Sequence, residues 1–241
     1  RVLASTAADP ANPGTGQIVT TSDTYNVSLT TAGLYINTTY YFKVGAINHN
    51  SVPAYAAIAG TSTATTEPAI AAFTNVTASG IQVNWTANGN LNPGTLYRVL
   101  TSTASNPLIP GTGQVVTTSD TYNFSLSTSG LNVNTTYYFK IAAVNNNNVP
   151  SNYITPTPST ATLAAAPTLL SFSNITTSAI ELSWTTSNPY PGTLYRVLAS
   201  TASDPANPGT GQIVTTSDTY NVSLTTAGLY INTTYYFKVG A

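Results

Sequence analysis

The chain has 241 residues, 41% of them hydrophobic but only 5% charged, and a net charge of −1. An average soluble domain carries roughly 25% charged residues, so polarity here rests on hydroxyls and amides: 45 Thr, 23 Ser and 24 Asn. This balance lacks the basic footprint of a nucleic-acid binder. It has no apolar run near the ~20 residues that span a bilayer, and without Cys it forms neither disulfides nor Cys metal sites.

Internal repetition organises everything else. Arg1–Ala46 recurs as Arg196–Ala241 with 45 of 46 positions identical, the one difference being Ala8 against Ser203. A more divergent copy begins at Arg98, so the offsets are 97 and 98 residues. About a hundred residues is the size of one immunoglobulin-like sandwich. The first and third copies match each other far better than either matches the second. The near-exact period is therefore 195 residues, a pair of domains. Alternating domain types and a recent duplication both give this pattern.

In chain order, residues 1–66 read as a partial repeat from its third strand onward, 67–163 as a complete one, and 164–241 as a partial one. The sequence begins and ends at positions that fall inside strands. The expectation is that the partial sandwiches are completed by flanking sequence or by strands from neighbouring chains, since an open core and a free sheet edge are liabilities. Within the complete unit, Ile81, Val83 and Trp85 alternate on one face of a strand, and Tyr97 and Val99 on one face of the next. Asn106–Gly113 is broken by Pro and Gly. Tyr122–Leu126 alternates again, and Thr136–Ala143 forms the last long run. Period-two patterning with regular turn signals predicts an all-β chain.

These residues carry a family resemblance. Pro68, Trp85, Tyr97–Val99 and the run Gly130-Leu131 … Tyr137 … Ile141-x-Ala143 resemble the fibronectin type III family. The resemblance implies tandem seven-stranded sandwiches. It also implies that Tyr40, Tyr137 and Tyr235 form tyrosine corners, each hydroxyl tied to nearby backbone. Val133 stands where the family usually has Pro, with Ile36 and Ile231 in the other copies. The family's Arg-Gly-Asp attachment tripeptide is absent: the corresponding loops run from His49 to Pro53 and from Asn146 to Pro150.

No catalytic, cofactor-binding or metal-binding set emerges, and the chain reads as no enzyme. The one histidine, His49, has Asn146 as its counterpart and reads as a solvated loop residue. Asp23, Asp120 and Asp218 recur in Thr-Ser-Asp-Thr, which reads first as turn chemistry. One Asp among hydroxyls is a poor start for Ca²⁺, which takes six or more oxygens. Asn-x-Ser/Thr acceptors occur at Asn26, Asn37, Asn75, Asn84, Asn123, Asn134, Asn174, Asn221 and Asn232. Chance alone gives about seven in so hydroxyl-rich a chain under the acceptor rule. Thr155–Thr160 reads either as an O-glycosylated linker or as an edge strand guarded by Pro.

The outward phase of the third and sixth strands collects Leu96, Arg98, Leu100, Tyr138 and Lys140 as a candidate contact face. Its readings are ordinary cross-strand pairing, packing against another domain with Arg98 over Tyr138, or stacking on sugar. The function expected is a non-catalytic component of an extracellular or cell-surface filament, sheath or stalk. The expected partners are copies of itself and glycans, without nucleic acid or membrane insertion. The alternative is an adhesin arm, or a spacer or carbohydrate-binding module of a larger secreted protein.

Overall fold

The computed structural model describes residues 1–17, 19–189, 191–210, 212 and 214–241, with the side chains of 71 and 169 outside the description. The described residues form strands, turns and irregular segments and contain no helix. The first repeat contributes β1 (Val2–Ser5), β2 (Val19–Ser22), β3 (Thr39–Ile47), β4 (Pro53–Tyr55) and β5 (Ala59–Ser62), in the order β2-β1-β3-β4 with β5 also on β3. The second supplies seven strands: β6 (Ala69–Thr74), β7 (Gly80–Thr86), β8 (Leu96–Ser102), β9 (Val116–Thr121), β10 (Ser125–Ser129), β11 (Thr136–Val144) and β12 (Ser159–Ala161). They make one sheet in the order β10-β7-β6 and another in the order β12-β11-β8-β9. The third adds β13 (Thr168–Ser173), β14 (Ala179–Thr185), β15 (Tyr195–Ser200), β16 (Val214–Thr219), β17 (Ser223–Ala227) and β18 (Tyr236–Gly240), as sheets β13-β14-β17 and β16-β15-β18.

The chain divides into two compact units. One comprises Arg1–Phe73, Val83–Leu126 and Tyr138–Ser159; the other comprises Thr74–Gln82, Ser127–Tyr137 and Thr160–Ala241. In the first, period-two patterning on β7 and β8 buries Val83, Trp85, Tyr97 and Val99, while Phe139 and Ile141 of β11 are fully enclosed. Trp85 and Tyr97 rings lie 5.6 Å apart, Tyr97 and Phe124 5.6 Å, and Phe73 and Phe139 5.3 Å. Tilted and edge-on pairs of this kind add about 0.5–1.5 kcal/mol beyond the area they bury. In the second unit Leu182, Trp184, Tyr195 and Val197 form the core, with Leu224, Phe237 and Val239 against it.

Three strand expectations shift. Thr118–Asp120 lies within β9, not a turn, because Asp120 pairs with Arg98 across the ladder. The expected Tyr122–Leu126 strand starts only at Ser125; Thr121 Oγ1 accepts the Asn123 N–H and bends the chain first. Thr155–Thr160 is no free linker: the Phe139 N–H donates to the Pro158 carbonyl, and Ser159 opens β12 at the sheet edge. In the first repeat, the counterpart of β10 forms no strand, and Tyr25 and Val27 are fully exposed. In the second repeat β10 is held by β7.

Candidate functional site: paired charges, tyrosine corners and the joint between repeats

Charges are consumed in pairs within each repeat. Register places Arg98 of β8 opposite Asp120 of β9, and the guanidinium grips the carboxylate through Nε (3.0 Å) and Nη2 (2.8 Å). Arg1 with Asp23 and Arg196 with Asp218 repeat the two-bond geometry. The Arg1 and Arg196 hydrogen bonds hold the carboxyls of Asp23 and Asp218 below the usual range. Lys43 reaches Asp9 at 3.0 Å, and Lys238 reaches Asp204 at 3.3 Å. The Ala11 N–H, ahead of Lys43 and Asn12, lowers the Asp9 pKa; Asn207, then the Ala206 N–H, lowers that of Asp204. The second repeat has Asn106 in place of Asp9. There Lys140 is buried and donates to the Ile154 carbonyl at 3.2 Å.

The candidate contact face is thereby reduced. Leu100 and Lys140 are buried, while Leu96, Arg98 and Tyr138 are half-buried. Along β8 and β11, Arg98 faces Ala142 and Tyr138 faces Ser102, so the strands carry Arg98 and Tyr138 four positions apart. The Arg98–Tyr138 stacking that belongs to the domain-packing reading is not formed among the described residues. Arg98 turns to Asp120 and also donates to Asn148 Oδ1 at 3.2 Å. A cation over an aromatic ring occurs instead in the first repeat, with Lys43 Nζ 5.7 Å from the Tyr55 ring centre.

The three corner tyrosines behave alike. The hydroxyls of Tyr40, Tyr137 and Tyr235 accept the N–H groups of Tyr35 (3.0 Å), Asn132 (2.9 Å) and Tyr230 (3.0 Å), each five residues upstream. The bond spans the turn preceding strands β3, β11 and β18. Pro is not needed for it, since Ile36, Val133 and Ile231 occupy that turn.

The nine acceptor asparagines fall into groups with different environments. Asn26, Asn123 and Asn221 are exposed, and their side-chain amides have no partner among the described residues. Asn84 is half-buried on β7 and donates to the Ala72 carbonyl. Asn37, Asn75, Asn134, Asn174 and Asn232 have φ between 44° and 50°, a left-handed conformation that Asn tolerates better than other side-chain-bearing residues. Asn75 donates to Gln82 and Asn174 to Glu181. Asn37 is only 3% exposed.

The reason lies at the joint between the first and second repeats. Asn37 Nδ2 donates to Thr95 Oγ1 (3.1 Å), its Oδ1 accepts the Asn146 N–H (3.1 Å), and its carbonyl accepts Asn146 Nδ2 (3.1 Å). Beside it Asn145 Nδ2 donates to the Thr63 carbonyl and Asn147 Nδ2 to Thr61 Oγ1. Asn90 clamps the connecting backbone, accepting from the Thr66 N–H and donating to its carbonyl. In the other unit Asn134 Nδ2 donates to Thr193 Oγ1 at 2.9 Å, and Asn188 clamps Ala165 the same way. Sequence reading missed this joint. The recurring Asn-Thr-Thr and Thr-Leu-Tyr-Arg segments were its signal, but they lie 58 residues apart.

Among the described residues no three His, Cys, Asp or Glu gather at a metal-binding spacing. His49 is exposed in a loop organised by Asn48, whose Oδ1 accepts the Asn50 and Val52 N–H groups.

Comparison with solved structures finds a two-domain fibronectin type III segment of chicken tenascin, 20% identical, covering 71% of this chain and 89% of that one, with a TM-score of 0.44. The FN1–FN3 domains of chicken CNTN1 are 15% identical over 85% of this chain and 72% of theirs, with a TM-score of 0.31. A domain of human fibronectin type III domain containing protein 3 is 18% identical over 43% of this chain and 90% of that one, with a TM-score of 0.33. No curated protein sequence matches. The fibronectin type III domain family itself matches residues 66–157 and 165–241, most of the chain. The paired three- and four-stranded sheets of the second repeat, the recurrent corner tyrosines and that match together place this chain in the fibronectin type III family.

Proposed function

We propose that this chain is a non-catalytic structural component of an extracellular or cell-surface filament, sheath or stalk, built from repeated fibronectin type III domains and glycosylated at exposed asparagines. The observation that carries this reading is the way charge is spent. Five of the six basic side chains are in ion pairs within their own repeat, among the described residues. What remains outward is mostly hydroxyl, amide and apolar surface, and 45 of the 46 residues Arg1–Ala46 recur after 195 residues. Such a surface repels its own copies little, which favours association, and identical contacts at a fixed period suit a regular assembly.

Electron microscopy of the native extracellular material tests it. One sandwich is about 35 Å long, so a polymer of two-domain units has an axial repeat near about 70 Å. Isolated flexible beaded strands without that repeat would overturn the filament reading and favour a spacer or adhesin arm.

A further inference from the structure

We propose that the Asn-Thr-Thr runs at 37–39 and 134–136 are inter-repeat locks, in which the asparagine amide is the recognition group for the base of the following repeat. This goes beyond a structural role for the array, because it names the side chain that fixes the geometry of a joint to which Asn90, Asn145 and Asn147 add further bonds.

Three observations carry it. First, both ends of the Asn37 amide are engaged. An amide has two donors and one carbonyl acceptor, and here Nδ2 meets a hydroxyl while Oδ1 meets a backbone N–H of the next repeat. Asn37 and Thr95 are 3% and 1% exposed. A buried polar pair of this kind costs free energy unless both members are satisfied, so the contact specifies one geometry. Second, the conformation is prepared in advance. Asn37, Asn134 and Asn232 share a positive φ of 44° to 50°. The next Thr hydroxyl donates to the carbonyl one residue before each Asn: Thr38 to Ile36, Thr135 to Val133, Thr233 to Ile231. Glycine would take that φ, but it has no amide to present. Third, the receiving hydroxyl recurs. Thr193, 2% exposed, accepts from Asn134 while its own proton goes to the Pro189 carbonyl at 2.9 Å, which fixes the direction of the bond.

The lock also accounts for the asparagine-rich loop of the second repeat. Asn145 Oδ1 shapes that loop by accepting the Asn147 and Val149 N–H groups, as Asn48 does in the first repeat. The shape holds the Asn146 N–H against Asn37. His49 stands at the matching position with its N–H unbonded among the described residues. An amide engaged in the lock is closed to glycan attachment. Asn232 lies in the same sequence as Asn37 but is exposed.

The test is amide hydrogen exchange followed by NMR on the full 241-residue chain. The Asn146 N–H should exchange at least about tenfold more slowly than the His49 N–H, after correction for intrinsic rates, because only the former is closed by a lock that must open first. Asn37→Ala should abolish the difference while leaving the protection of the Val99 amide in the core unchanged. Thr95→Val should reduce it. Equal exchange at Asn146 and His49 in the unsubstituted chain would overturn the proposal, as would undiminished protection of Asn146 in Asn37→Ala. The first comparison needs no variant, so it stands even if a substitution impairs folding.

Discussion

The Tyr195 hydroxyl donates to Thr186 Oγ1 at 2.9 Å, whereas Tyr97, its counterpart one repeat earlier, has a buried hydroxyl with no partner among the described residues. The difference traces to one residue, since Ala87 stands where the third repeat has Thr186. Burial pushes the Tyr97 phenol pKa up. Removing an unpaired buried hydroxyl is close to neutral, whereas removing a paired one costs about 0.5–1.5 kcal/mol. Tyr97→Phe should therefore leave denaturant stability unchanged or slightly raised, and Tyr195→Phe should lower it. Ala87→Thr should stabilise the second repeat by about 1 kcal/mol by supplying the missing acceptor. Equal losses for the two Tyr→Phe variants, read from unfolding midpoints, would refute this account.

The corner bond gives a second expectation. Tyr137→Phe removes the acceptor for the Asn132 N–H, which sits at a partly wetted turn. The cost should be about 1 kcal/mol, with the denaturant m-value unchanged because the surface exposed on unfolding is the same. A loss much larger than this would mean that the ring, and not the hydroxyl, had been disturbed.

Acid should weaken the fold from one side only. The carboxyls of Asp9, Asp23, Asp204 and Asp218 titrate below the usual range in the folded chain. Depressed values mean that folding favours the ionised form, so their contribution is complete above the ordinary carboxylate value of about 3.9 and is lost as pH falls through the depressed values. Thermal unfolding should be flat from neutral pH to about pH 5 and decline below about pH 4. Asp23→Asn should remove part of that decline.

Glycan occupancy should follow exposure. Peptide mapping of material from a glycosylating host should find sugar at Asn26, Asn123 and Asn221, where the amides are exposed and unpartnered among the described residues. Asn37 and Asn134 should be unmodified, because their amides are bonded to Thr95 and Thr193. Sugar on Asn37 in folded chains would contradict the geometry of the joint.

Which parts were legible in the sequence follows from which forces are local. Ile81, Val83 and Trp85 declared their face through alternation, and β7 buries all three. Trp85, Tyr97 and Tyr137 carried the family resemblance, and Trp184, Tyr195 and Tyr235 match them in the third copy. Asp120 was misjudged as a turn residue. Thr-Ser-Asp-Thr suits a turn by composition, and only register shows that its carboxylate faces Arg98. Lys140 was expected outside because it alternates with Ile141; the segment leading to Ile154 covers it, a tertiary contact that strand period does not encode. Asn37 was visible as a glycan acceptor, but its bonding depends on residues 58 and 109 positions away.

The internal ion pairs have a further consequence. A molecule whose cations are mostly answered within a few ångströms has almost no electric field at a distance. At physiological ionic strength the Debye length is about 8 Å, but here there is little for salt to screen. Attraction or repulsion between arrays is then set by surfaces already touching. The filament proposed above should therefore keep its cohesion across large swings in salinity, where a protein stuck together by opposite charges would loosen.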